Sequence, residues 1–205
     1  MILELSALSY LAGGIPTGYL IAKHVRGIDI REHGSGNPGA ANVYRVMGRE
    51  AGAATLFVDA LKGFFPVLLA RRCFPENYWV MILCGALAIV GHVWTIFLRF
   101  RGGKGVATAA GVFAALLPKP LGVSLVAFII GVAATAHISV GSMAAALVFP
   151  FAAMAFRSPG PLVGMAFCAC VLILAKHVSN LKRLLEGREL LFKHGSHLET
   201  HRKKQ

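Results

Sequence analysis

Two stretches concentrate residues that could hold a phosphate: GSGNPGAANVYR at 34–45 and RGGKGVAT at 101–108. In the first, Gly34, Gly36 and Gly39 let the backbone approach a ligand, and successive N–H groups can form an anion-binding nest. Ser35 and Asn37 add neutral donors, while Asn42 and Arg45 lie three apart and share a face if the segment is helical. The plainer alternative is a turn leading into a helix capped by Ser35 or Asn37. In the second stretch, Arg99, Arg101 and Lys104 are interleaved with Gly102, Gly103 and Gly105. It is not a Walker A loop, which needs G-x-x-x-x-G-K-[ST] after a strand; here Lys104 is followed by Gly105 and preceded by an apolar run. What survives is the physics of glycine amides, a lysine point charge and the positive end of a helix starting near residue 105. A basic loop kept only for topology would not need three glycines beside its lysine, so anion binding is favoured.

A third cluster lies near the C-terminus. His177, Asn180 and Arg183 recur every three residues and share a face of a continuing helix, with Glu186 and Glu189 farther along it; a solvated juxtamembrane helix is the alternative. Asp59 and Lys62, three apart in an apolar run, suit a buried ion pair. His92 is a lone intramembrane histidine. Ser139, Gly141 and Ser142 occupy a junction without Lys or Arg. Of the four cysteines none forms a CxxC pair, and three sit in apolar runs, so reduced thiols are expected. No metal-ligand spacing and no Ser–His–Asp arrangement occurs, so neither metal nor cofactor is expected.

The elements that must position these residues are membrane spans. Hydrophobic residues make up 56% of the chain and charged ones 15%, well below the quarter usual for soluble domains. The net charge of +12 does not point to nucleic acid, because the cations lie outside the apolar runs and no aromatic-interleaved basic face is present. Apolar windows fall at about 2–22, 51–70, 78–98, 105–117, 121–137, 142–156 and 160–176. A span needs about 20 residues, so the fourth and sixth are short. The expected fold is an all-α polytopic transmembrane bundle of about seven spans, or five if the short windows do not cross. Alternate loops carry sixteen Lys and Arg against four. That bias puts the N-terminus outside, and the C-terminus and the first, third and fifth loops in the cytoplasm. Residues 1–22 are read as a retained span rather than a signal peptide. Residues 1–192 form one membrane domain, and the polar, His-rich tail at 193–205 is expected to be disordered.

His24 and Asp29 form an H-x-x-x-x-D pattern that resembles the signature of another glycerolipid acyltransferase superfamily, and FPEN at 74–77 echoes its downstream acidic motif. The charge bias puts these pieces on opposite sides of the membrane, which rejects that reading.

The three clusters together resemble the PlsY family, the bacterial acyl-phosphate:glycerol-3-phosphate acyltransferases. The matching stretches are GSGNPGAANVYR, GHVWTIFLRFRGGKGVAT at 91–108 and KHVSNLKRLLEGRE at 176–189, with D-x-x-K-G at 59–63 and an SVGS turn at 139–142. They occur in the family's order over nearly the whole chain to about residue 190. Departures are mild: Gly39–Ala40–Ala41–Asn42 stands where the family commonly reads GATN, and Lys176 stands where Arg often precedes the histidine. The resemblance implies transfer of an acyl chain from acyl phosphate to the 1-hydroxyl of glycerol 3-phosphate, giving lysophosphatidic acid and phosphate. It implies that Ser35, Asn37, Arg45 and Lys104 bind phosphate with the amides of Gly36, Gly39, Gly102, Gly103 and Gly105. Asn42, Ser142 and Arg183 would contact substrate, and His177 and Asn180 would complete the catalytic set with Arg45 and Lys104. The general base is His177 or a substrate phosphate. It further implies a bacterial inner-membrane enzyme of phospholipid synthesis, surrounded by membrane lipid and functionally linked to an enzyme that makes acyl phosphate. An organic-phosphate transporter is the alternative, since cations and broken helices also suit an anion pathway. Against it, the motifs gather on one side and the halves show no repeat.

Overall fold

The computed structural model describes residues 1–192, and the tail at 193–205 lies outside the described residues. Among the described residues every regular element is helical. The first apolar window is not one helix: α1 (Ile2–Gly14) and α2 (Thr17–Arg26) meet at Ile15–Pro16 with a 43° bend. Pro16 has no N–H and its ring blocks a continuous ladder. A loop containing a 3-10 turn at Ile30–Glu32 leads to α3 (Ala40–Met47) and then α4 (Arg49–Cys73). α5 (Tyr78–Val93) is followed by a 3-10 turn at Ile96–Leu98, α6 (Val106–Leu116), α7 (Pro118–Thr135), α8 (Ile138–Ala155), α9 (Gly160–Lys176) and α10 (Val178–Leu185).

Four segments are long and apolar enough to cross a bilayer: Arg49–Cys73, Tyr78–Leu98, Pro118–Thr135 and Ile138–Ala155. The bent pairs α1–α2 and α9–α10, the latter kinked by 50°, raise the number to six. α6, with 11 residues, is short as expected. The sixth window is not short. SVGS at 139–142 is the first turn of the 18-residue α8 rather than a connecting turn, and the Ser142 hydroxyl donates to the Ile138 carbonyl at 2.8 Å. Satisfying its hydroxyl on the preceding turn lets a polar stretch continue a helix.

Without water between spans, helices associate by close packing of small residues. α4 and α6 show it: a Cβ on Gly63 would stand 2.1 Å from the Thr108 carbonyl oxygen, and one on Gly111 1.8 Å from that of Ala60. The apolar core joins Val67, Cys84, Val112, Phe113, Phe149 and Ala166 from α4, α5, α6, α8 and α9. Inside α4, Asp59 and Lys62 pair at 2.7 Å. Lys62 also donates to the Ile15 carbonyl at 2.6 Å, at the α1–α2 break. A lysine within the bundle is costly unless paired, and the break supplies its second partner. The loop before α3, the loop before α6, the α7–α8 turn and the chain after α9 gather at one end of the bundle, tied by the bonds described next.

Candidate active site

The first loop is pinned by one side chain. Asn42, on the first turn of α3 and 1% exposed, accepts the Ser35 N–H through Oδ1 at 2.8 Å. Its Nδ2 donates to the carbonyls of Ile30 at 3.2 Å and His33 at 2.9 Å. Asn42, expected among the substrate contacts, therefore shapes the loop from within. The Gly36 amide donates to the His33 carbonyl and the Gly39 amide to Asn37 Oδ1.

The second loop hangs from the end of α5. The Gly102 amide donates to the Val93 carbonyl and the Gly103 amide to the His92 carbonyl, each at 3.1 Å. Of the glycines expected to cradle an anion, Gly36, Gly39, Gly102 and Gly103 have their amides bonded inside the loops. Gly102 and Gly103 are needed because a Cβ would stand 2.0 Å from the His92 carbonyl oxygen and 2.2 Å from His92 Nε2, respectively. Gly105 turns into α6 with φ +83°, beside Lys104.

The third cluster sits at the α9–α10 kink. Lys104 Nζ donates to Asn180 Oδ1, and Asn180 Nδ2 donates to Glu189 Oε1 at 2.6 Å. Ser139 Oγ donates to the same Glu189 oxygen at 2.8 Å, and Arg183 Nε to Oε2 at 2.8 Å. The Glu189 side chain, 1% exposed, is thus the hub that joins α8, α10 and, through Asn180, Lys104. Sequence reasoning had laid Glu186 and Glu189 along one helix. In the structure α10 ends at Leu185 and Gly187 turns with φ +66°, which folds Glu189 back and leaves Glu186 paired with Arg188 at 2.5 Å. The available signal was that glycine directly after a helix-forming run.

Burial pushes the Glu189 carboxyl up, but hydrogen bonds from Asn180, Ser139 and Arg183 outweigh it and leave it below the ordinary carboxylate range. Burial lowers the Lys104 ammonium to about 8; Glu189 opposes the shift, while Arg183 and Arg45 add to it. Arg45 is lowered by burial too, yet a guanidinium stays charged. Its Nη2 and Nε donate to the carbonyls of Leu190 at 3.2 Å and Leu191 at 3.4 Å. In the His24–Asp29 pattern, Asp29 is hydrogen-bonded by Arg31, which holds its carboxyl down to about 2, and His24 faces the Leu20 carbonyl.

A cavity of about 330 Å³ opens between the loops and the kink. Ser35, Gly36 and Asn37 form one wall, Gly102, Gly103 and Lys104 another, and Lys176, Ser179 and Arg183 the third. Sequence reasoning missed Lys176 and Ser179 as wall residues; they flank His177 but break its three-residue spacing. The remaining expected residues stand behind the wall. His177 is 2% exposed, with Nδ1 against the Ile173 carbonyl at 2.8 Å. Asn180 lies beneath Lys104. Ser142 lines a second, apolar cavity of about 180 Å³ together with Val106, Phe113, Phe149 and Ile173.

Residues 3–187 match the family model described as glycerol-3-phosphate acyltransferase. The chain belongs to that family. It is 49% identical over 191 residues to a glycerol-3-phosphate acyltransferase of Geobacter sulfurreducens, covering 93% of this chain and 97% of that one. The corresponding enzyme of Geotalea daltonii is 45% identical over 185 residues, covering 90% and 94%. Among solved structures, PlsY (YgiH), an integral membrane glycerol 3-phosphate acyltransferase in its glycerol 3-phosphate form, superposes with a TM-score of 0.89. It is 37% identical, over 94% of this chain and 96% of that one. The lysophosphatidic acid form gives 0.86 at 36% identity, over 94% and 95%. The likeness covers the whole helical bundle, so the chain is an integral membrane protein of the acyltransferase family.

Proposed function

We propose that the chain transfers an acyl group from an acyl phosphate to the 1-hydroxyl of glycerol 3-phosphate, releasing lysophosphatidic acid and inorganic phosphate. In this reading it is a multi-pass enzyme of the bacterial inner membrane whose site faces the cytoplasm. The observation that carries it is a pair of cavities, one polar and one apolar, whose linings follow one another along the chain. The cation-walled space reaches Lys104 and Ala175, and the apolar one begins at Val106 and Ile173. Along the chain the two linings are one residue apart, at Gly105 in one segment and at Leu174 in the other. A molecule with a phosphate at one end and a hydrocarbon tail at the other fits that pair, and a second small phosphate fits the polar side. The charge bias of the loops supports the sidedness.

Lys104 is the central phosphate ligand, a compact charge on a stem fixed by Asn180. Arg183, held by Glu189, supplies a second cation, and Ser35, Asn37 and Ser179 add neutral donors. The start of α6 adds the positive end of its dipole next to Lys104. The glycerol hydroxyl oxygen bonds to the acyl carbon as the bond from that carbon to the phosphate oxygen breaks. Fixed cations offset the charge that develops on the acyl oxygen and the leaving phosphate. The hydroxyl proton passes to a substrate phosphate, whose second pKa of about 6 suits it. His177 is the poorer acceptor because its ring is buried behind the wall; its Nδ1–H donates to the Ile173 carbonyl, which leaves Nε2 as its basic nitrogen. It shapes the kink that carries Asn180. Purified protein in detergent, given acyl phosphate and glycerol 3-phosphate, should release phosphate only when both are present. Intact protein that releases none would refute the proposal.

A further inference from the structure

The structure contains a buried polar cluster that the reaction above leaves unused: Asp59, Lys62 and His92. We propose that His92, held by the Asp59–Lys62 pair, is a positioning residue that sets where Lys104 stands; the inference rests on the acyltransferase reading. The second loop is built on this residue twice. Its Gly103 amide bonds the His92 carbonyl at 3.1 Å. In addition, the three atoms nearest a Cβ on Gly103 all belong to the His92 ring, Nε2 at 2.2 Å, Cε1 at 2.9 Å and Cδ2 at 3.1 Å. The ring is therefore the floor on which the residue before Lys104 rests.

The ring is itself located from behind. His92 Nδ1 lies 3.9 Å from Asp59 Oδ1, the same oxygen that Lys62 approaches to 2.7 Å, and Lys62 ties the group to the α1–α2 break through Ile15. Helix α4, anchored on the α1–α2 break, thus fixes the imidazole carried by α5. A void of about 10 Å³ lies among Asp59, Lys62, His92 and Thr17, closed by Pro38 of the first loop and by Gly102–Gly103 of the second. It has room for one water, and the buried Thr17 hydroxyl has no other partner among the described residues. Because both loops rest on this cluster, it holds the first loop's wall and the lysine in register.

The test is a mutant cycle on the detergent-purified, full-length chain. Gly103→Ala alone drives a methyl into the ring and should lower kcat/KM for glycerol 3-phosphate by about 10²-fold, the cost of a misplacement near 1 Å. His92→Ala alone should raise KM for glycerol 3-phosphate and shift the alkaline limb of the kcat/KM profile. The double variant, with the obstructing ring removed, should recover at least about tenfold over Gly103→Ala, a coupling that independent sites do not show. Simple additivity, or a His92→Ala enzyme with the normal KM and pH profile, overturns the proposal. If His92→Ala is not monodisperse, His92→Gln takes its place; loss of folding in both overturns it, since the residue would then serve helix packing alone. Calorimetric binding of glycerol 3-phosphate to the same variants separates the two readings. Normal binding to His92→Ala sinks this inference, whereas a wild-type chain without acyl transfer sinks the other.

Discussion

The two glycine-rich loops look alike as sequence and are held in opposite ways. The first, Gly34–Gly39, keeps its shape through a side chain: three backbone groups converge on the single amide of Asn42. The second, around Gly102–Lys104, keeps its shape through missing side chains, its bare backbone lying against the carbonyls and ring at the end of α5. One loop is broken by deleting atoms and the other by adding them. The amides of Gly36 and Gly39 in the first, and of Gly102 and Gly103 in the second, bond within their own frames.

The largest expected effect tests what the second frame carries. Lys104→Ala should lower kcat/KM by roughly 10²–10³-fold, the scale for losing one preorganised group at developing charge, with an unchanged thermal midpoint in detergent. Gly102→Ala comes next. Its Cβ would meet the immovable backbone oxygen of His92, so about 10²-fold loss of activity is expected with no polar group removed. Asn42→Ala probes the first frame. Three hydrogen bonds worth about 1 kcal/mol each predict roughly 3 kcal/mol of lost stability, read as a lower thermal midpoint, together with a higher KM for glycerol 3-phosphate. A pH profile sharpens the contrast without touching either frame. Lys104, lowered to about 8, is charged below that pH and loses its proton above it. The value of kcat/KM should therefore fall with rising pH above about 8, by about tenfold per unit, and Lys104→Arg should move that limb upward. Smallest of all, His177→Asn should keep turnover within about tenfold. A general base in its place would cost 10²–10⁴-fold, and a loss of that size would return the proton to the histidine.

The bundle was legible in the sequence because apolar runs of span length have few other uses. What misled was local. Pro16 lay inside an otherwise convincing window, and SVGS reads as a turn until the Ser142 hydroxyl is seen bonding back to Ile138. The three site clusters were legible from residue type and spacing, and the cavity unites Ser35, Asn37, Lys104 and Arg183 from all three. Their internal wiring was not. Whether an amide is free or spent depends on which group the folded loop brings against it, such as His92 against Gly103 or Asn42 against Ser35, and periodicity carries no such information. Glu189 shows the limit: its spacing from Arg183 suggested a shared helix face, but the chain reverses at Gly187 and reaches Arg183 by another route.

The last described residues draw Arg45 onto the carbonyls of Leu190 and Leu191, bond the Phe192 amide to Ala136 at 2.6 Å and stack the Phe192 ring on Tyr44 at 4.9 Å. This gives the enzyme a schedule. Every span from α1 to α9 can enter the bilayer as it is synthesised, but the bonds that Glu189 to Phe192 make wait for that segment to leave the ribosome and fold back. A nascent chain halted just after the last span would be fully inserted and catalytically silent.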